Sequence, residues 1–191
     1  MTPEPLQNLE LLYLAKENFK RSGSNWLAFL EPSELPKAAA NLLSAGYHIE
    51  DICGLDAQEG ACAVYHFDHF QNPCRISLVA IAPYTAPTFP SIAGIFQGAE
   101  WHERETRDFF GYCFAGNPNF IPLLIAETMV DVHPLQKDED KRAPLRKFFA
   151  LEGAVEELVH KKPGFTFLDA LPEPPAESQK APAAAAQEGK A

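Results

Sequence analysis

Tyr47 to Pro83 reads YHIEDICGLDAQEGACAVYHFDHFQNPCRISLVAIAP, and this stretch decides the fold. It holds three short runs, Tyr47 to Leu55, Ala61 to His69 and Arg75 to Pro83. Each is rich in strand-forming residues and is bounded by Gly, Asn or Pro, which is how strands announce themselves in a sequence. In the middle run Val64, His66 and Asp68 alternate against Tyr65 and Phe67, the period of a strand with two different faces. Short connections between such runs predict an α/β domain of the α+β kind. Its small, mainly antiparallel sheet is packed with helices on one face.

Working outward, Leu6, Leu9, Leu12 and Tyr13 recur at helical spacing, which predicts a helix over Leu6 to Lys20. A second helix is predicted over Ser33 to Ser44, with Ser33 as N-cap, Pro36 in the first turn and Gly46 as the stop. Ser91 to Phe110 reads as one or two short helices, divided at Gly98 and ended by Gly111. Gly116 to Pro144 is rich in turn formers and poor in periodic runs. A segment of that length without regular structure makes more sense laid across a partner than packed in a compact domain. Arg146 to His160 is predicted as a last helix, with Phe148, Leu151, Val155, Leu158 and Val159 on one face and Gly153 as its weak point. From Pro172 the composition falls to Pro, Ala, Glu, Gln and Lys. With no aromatic or β-branched residue, it has too little apolar surface to offset the entropy of ordering. The expected organisation is an α/β domain over 1–115, an extended docking segment over 116–171 and a disordered Pro/Ala-rich tail over 172–191.

Charge and composition narrow the function. The 191 residues include 16 basic and 26 acidic side chains, a formal net charge of -10. Neutralising phosphates takes a basic face, so nucleic acid is not the expected partner, and an anionic membrane surface is disfavoured for the same reason. No apolar run reaches the roughly 18 residues that a membrane span needs. Met1 to Glu10 carries two acids and no base, unlike the basic start of a secretory signal. The expected location is therefore the cytoplasm, with any membrane association made through a partner.

Local motifs for chemistry are missing. Cys53, Cys62, Cys74 and Cys113 form no CxxC pair, so they are expected to be small buried apolar residues, not cluster or zinc ligands. His66 and His69 lie three apart on a predicted strand and point to opposite faces unless a bulge intervenes. No glycine-rich phosphate loop, GxSxG or HExxH is present. The chain is expected to bind no metal, flavin or iron–sulfur cluster.

One segment stands apart. Glu100-Trp101-His102-Glu103-Arg104-Glu105-Thr106-Arg107-Asp108-Phe109-Phe110-Gly111 mixes both signs of charge with large aromatics. On a helix Glu100 precedes Arg104 by four, Glu103 precedes Arg107 and Arg104 precedes Asp108, which predicts i,i+4 ion pairs. Such pairs on a solvated face contribute only a few tenths of a kcal/mol, about the helix-pair value. The aromatics point instead to burial of part of this helix, where arginine makes planar contacts that lysine cannot.

This segment, continued by Phe114-Ala115-Gly116-Asn117-Pro118 and then by Val132-His133-Pro134-Leu135-Gln136-Lys137-Asp138, resembles the signature of the complex I 30-kDa subunit family of NADH-quinone oxidoreductases. A related subunit occurs in energy-converting membrane-bound nickel–iron hydrogenases. The resemblance runs from about Leu27 to Asp138. This chain departs from the pattern in having Asn117 where the family usually has His, Gln136 where it usually has Arg, and apolar Phe120-Ile121-Pro122 where a basic residue is usual. The resemblance implies a non-catalytic subunit of the peripheral arm with no redox centre of its own. It would dock on a hydrogenase-like catalytic large subunit and near a small iron–sulfur subunit. Those partners would carry the iron–sulfur clusters and either a quinone site or a nickel–iron centre. The whole complex would move electrons from NADH or another reduced donor and translocate ions, with this chain on the cytoplasmic side of the membrane. The residues the resemblance assigns to the partner interface are Trp101, Glu103, Arg104, Glu105, Asp108, Phe109, Gly111, Phe114, Gly116, Pro118, His133, Pro134, Leu135, Lys137 and Asp138. The competing reading is a free-standing enzyme with Glu103, Asp108 and His133 as an acid–base set, for which the spacing offers no motif.

Overall fold

The computed structural model describes residues 2–169; the tail expected from Pro172 lies outside them. The three strands of the opening stretch form as β3 (His48–Ala57), β4 (Gly60–Asp68) and β5 (Ile76–Ala82). They belong to a wider sheet with β1 (Leu11–Glu17), β2 (Trp26–Leu30) and β8 (Val155–Lys161). The order is β3-β4-β5-β2-β1-β8. Every neighbouring pair is antiparallel except β2 and β5.

Helices cover one face. A single turn, α1 (Phe19–Ser22), joins β1 to β2. The predicted second helix appears as α2 (Leu35–Ser44), entered through a 3-10 turn at Pro32–Glu34 that takes in Ser33, so Ser33 is not the N-cap. A short β6 (Thr88–Pro90) pairs in parallel with β7 (Cys113–Ala115) around α3 (Ala99–Phe110). Ser91 to Gly98 turns without forming a helix of its own, and Gly111 ends α3 in the left-handed region at φ 75°. Leu35, Ala38 and Leu42 of α2 pack with Leu30, Tyr65, Phe67 and Leu78 of the sheet in the main core.

The other face is closed by the chain after Gly116. Leu145 and Phe165 bury against Tyr13, Phe29, Val64 and Val79, with Phe149 and Phe167 packed beside them. The chain after Gly116 therefore builds the second core and the β8 edge of the sheet, as well as surface.

Two predicted helices are strands or fragments. Leu6 to Lys20 is not one helix: apart from a 3-10 turn at Glu4–Leu6 and the start of α1, β1 takes Leu11–Glu17, and Leu11, Tyr13, Leu14 and Ala15 are all buried. A strand covered on both faces reads as a continuous apolar run, which mimics helical spacing. Arg146 to His160 keeps only α4 (Arg146–Phe149). Gly153 sits in the left-handed region at φ 68° and breaks the helix. The β-branched Val155 and Val159 then extend as β8 against β1, which offers an unpaired backbone edge.

Gly54 sets how closely α3 approaches the sheet. A Cβ there would lie 2.4 Å from Phe110 Cδ2, so in Gly54→Ala the Phe110 ring, or α3 with it, must shift away from β3. The expected cost is about 1–3 kcal/mol, typical of overpacking. It would be read as a lower urea midpoint with an unchanged slope. An unchanged midpoint would mean that the Phe110 ring yields without cost.

Candidate partner-docking site

The predicted ion-pair ladder on α3 is mostly not formed. Glu100 and Arg104 do pair, at 3.4 Å, but Glu103 does not reach Arg107, and Arg104 does not reach Asp108. The buried charges Glu103, Arg104 and Asp108 instead bind backbone and polar groups of their own chain. Glu103, fully buried, accepts from Ser91 Oγ at 2.6 Å, from the Ile92 N–H at 2.8 Å and from Asn117 Nδ2 at 2.7 Å. Burial pushes its carboxyl up, and those three hydrogen bonds pull it back. Arg104 donates from Nε to the Ile121 carbonyl and from Nη2 to the Pro122 carbonyl, both at 2.9 Å. One oxygen of Asp108 accepts from the N–H groups of Leu123 and Leu124 at 2.8 Å and of Ile125 at 3.4 Å. Its other oxygen is buried without a partner among the described residues. Arg107 lies over the Phe120 ring, 4.6 Å from its centroid.

The second motif is tied to the first. His133 Nδ1 donates to the Asp108 carbonyl at 3.1 Å, and its ring packs against Gly111, where a Cβ would lie 2.7 Å from it. The Leu135 N–H donates to the Phe109 carbonyl at 3.0 Å. Fully buried Asp56 at the end of β3 holds the next link: it accepts from the Tyr112 hydroxyl and from the Lys137 N–H, both at 2.7 Å. Farther on, Glu59 accepts from the Leu145 N–H at 2.9 Å.

The consequence is a loop whose backbone is satisfied from beneath and whose apolar side chains face outward. Ile121, Leu124 and Leu135 are 57%, 60% and 51% exposed, with Met129 and Val132 beside them in sequence and also exposed. Trp101 is 63% exposed. Of the other residues the resemblance assigned, Glu105, Gly116, Pro118, Pro134, Lys137 and Asp138 are on the surface. Phe109 and Gly111 are half-buried, and Phe114 is inside the main core. Glu103, Arg104 and Asp108 are buried in this chain, so they shape the loop from within. Two departures from the family pattern gain a role: Asn117 anchors Glu103, and Phe120 takes the Arg107 guanidinium.

The acid–base set is not assembled. No carboxylate of Glu103 or Asp108 reaches the His133 ring or the other carboxylate: Glu103 and Asp108 bind other groups, and among the described residues the His133 ring bonds only to the Asp108 backbone carbonyl. The cysteines also depart from expectation. Cys62 is buried, Cys74 is half-buried, and Cys53 and Cys113 are exposed. His66 pairs with Asp51, while His69 lies past the end of β4 and accepts from the Gln71 and Asn72 N–H groups. Asp56 and Ser91 were not legible as site residues, because their partners are reached only through the folded path of the chain.

Fold and site together define a sheet domain that holds an apolar-faced loop at its surface, tied from beneath by α3. The chain belongs to the family described as respiratory-chain NADH dehydrogenase, 30 Kd subunit, whose model matches residues 29–154. It is 39% identical over 93 residues to a NADH-quinone oxidoreductase subunit of Roseiflexus sp. (strain RS-1), a match covering 47% of this chain and 53% of that one. It is 31% identical over 93 residues to a subunit of the F(420)H(2) dehydrogenase of Methanosarcina mazei, covering 48% and 59%. The chain thus spans about half the length of the curated relatives it matches. Its fold is shared with a chain of the membrane-bound sulfane sulfur reductase, an archaeal respiratory membrane complex, with a TM-score of 0.58 at 21% identity over 72% of this chain and 84% of that one. Among the described residues no helix is long and apolar enough to cross a membrane.

Proposed function

We propose that this chain is a non-catalytic peripheral-arm subunit of a complex I-type respiratory oxidoreductase, and that it docks on the catalytic large subunit through the 117–138 loop. The observation that carries this reading is the inside-out arrangement of that loop, with charged groups beneath and Ile121, Leu124 and Leu135 outside. Several large apolar side chains left exposed on one loop point to an interaction surface. Here the α3 charges contribute order to the patch, not contacts across it. The complex would pass electrons from NADH or another reduced donor to quinone and couple this to ion translocation. The clusters and the acceptor site would sit in the neighbouring large and small iron–sulfur subunits, with none in this chain. The complex would hold it on the cytoplasmic side of the membrane.

A triple variant, Ile121→Asp, Leu124→Asp and Leu135→Asp, tests the surface. These side chains are exposed, so the isolated variant should keep its circular dichroism and melting temperature within a few degrees. Burying charge against an apolar partner should abolish co-purification with the large subunit from native membranes. Normal assembly of the triple variant would overturn the proposal. In the recovered complex, a large subunit with nickel-binding cysteines would mark a hydrogenase, and one without them a quinone reductase.

A further inference from the structure

We propose that Asp51, Cys53 and His66 form a divalent-cation site of the zinc class on the β3–β4 hairpin. One ligand atom from each lies within 4.8 Å of the other two. The residues are brought together by an irregularity in the strand pairing. Ile49 stands opposite Phe67, yet Asp51 stands opposite His66, so Glu50 is an extra residue in β3. In an unbroken register Asp51 would face Tyr65, whose side chain is buried in the main core. The bulge re-aims Asp51 onto the face of His66 and of Cys53, two residues along the same strand. Bulges recur where a side chain must be turned toward a site.

The donor set has a definite chemistry. Thiolate and imidazole suit zinc-class ions and do not suit calcium or magnesium, which take oxygen ligands. His66 Nδ1 lies 2.6 Å from Asp51 Oδ1. Asp51 therefore either shares the ion or orients the ring so that Nε2 faces it, as carboxylates commonly do for metal-bound histidine. Cys53 and His66 both line a cavity of about 270 Å³, so the site is reached from that side. Glu17, 5% exposed, lines the same cavity and makes no ion pair among the described residues. It is a buried acid facing that space with no counter-charge. Arg75, which borders the adjoining groove, is gripped by both oxygens of Glu50 at 2.6 and 2.7 Å, so its charge is already matched. Binding exchanges the Cys53 thiol proton for the ion: the S–H bond breaks, a metal–sulfur bond forms, the proton leaves to solvent and nothing is oxidised. The site departs from the metal-free expectation, which rested on the lack of CxxC spacing. Ligands at 51, 53 and 66 converge through strand register and carry no local motif.

The test uses the full chain, stripped with chelator and titrated with Co²⁺ as the probe, then challenged with Zn²⁺. One equivalent of Co²⁺ should bring up a thiolate-to-metal charge-transfer band, and Zn²⁺ should abolish it. Cys53→Ser should remove the band, and Cys113→Ser should leave it unchanged. His66→Gln and Asp51→Asn should each weaken binding by roughly 10–100-fold. Circular dichroism of each variant separates loss of the site from loss of the fold. No band at stoichiometric Co²⁺, or a band that persists in Cys53→Ser, would overturn the proposal.

Discussion

Asp108→Ala is expected to unpin the docking loop and to cost about 3 kcal/mol of stability. Hydrogen bonds to charged groups are each worth about 1.5–3 kcal/mol. One Asp108 oxygen accepts from the N–H groups of Leu123, Leu124 and Ile125. The full sum does not apply, since those amides lie in a half-open loop and water can satisfy part of what alanine removes. The other Asp108 oxygen is buried without a partner among the described residues, so a fraction of the native gain is already offset by desolvation. About 3 kcal/mol is still a large share of the roughly 5–15 kcal/mol that holds a domain folded. The decisive readout is local: the 123–125 amides should exchange far faster in Asp108→Ala, while those of β4 and β5 keep their protection against opening. Asp108→Asn retains an acceptor oxygen and should fall between wild type and alanine. Unchanged protection at 123–125 in Asp108→Ala would mean that the loop is held by something other than this carboxylate.

The sequence is legible where structure is local and opaque where it depends on chain path. β3, β4 and β5 can be read because each alternates or is cleanly bounded, and because hairpin partners are neighbours in sequence. β2 escapes reading because Trp26 to Leu30 are all buried, leaving a short apolar run with no period. β1 fails for a related reason: Leu11 to Ala15 form an apolar run buried at all but Leu12, and that run even imitates a helix. β8 fails differently: all seven residues are exposed, so no burial pattern marks it, and it exists because β1 offers a free edge. On α3 the helix, its Gly111 stop and the burial hinted at by the aromatics are all legible. The partners are not. A spacing of four residues invites an ion pair, but an arginine or carboxylate with backbone groups to satisfy in low dielectric binds those first, because an unpaired buried N–H or C=O is costly. Whether such groups lie above the helix depends on where Ile121 to Ile125 run, which no residue within α3 encodes.

Arg104→Ala is expected to reduce the assembled complex sharply while leaving turnover per assembled complex nearly unchanged. The Arg104 side chain is only 8% exposed, and its guanidinium joins Glu100 on its own helix to the carbonyls of Ile121 and Pro122. Alanine leaves both carbonyls short of a donor and empties the space the side chain filled. The direct penalty is about 2–4 kcal/mol, the range for a buried hydrogen-bonded charge whose partners stay behind. The partner would then meet a loop in many conformations and would have to order it on binding. That ordering adds roughly 0.5–1.5 kcal/mol for each side chain newly fixed. Arg104→Lys separates charge from geometry. An ammonium restores the positive charge, but it cannot direct donors at two carbonyls and a carboxylate in one plane as the guanidinium does, so lysine should recover only a minor part of assembly. Quantitative recovery of complex from membranes, with the large subunit as the internal standard, measures the first effect, and donor:quinone activity normalised to that recovery measures the second. Full assembly with lost turnover in Arg104→Ala would make Arg104 part of the catalytic path. Full rescue by lysine would reduce its role to charge alone.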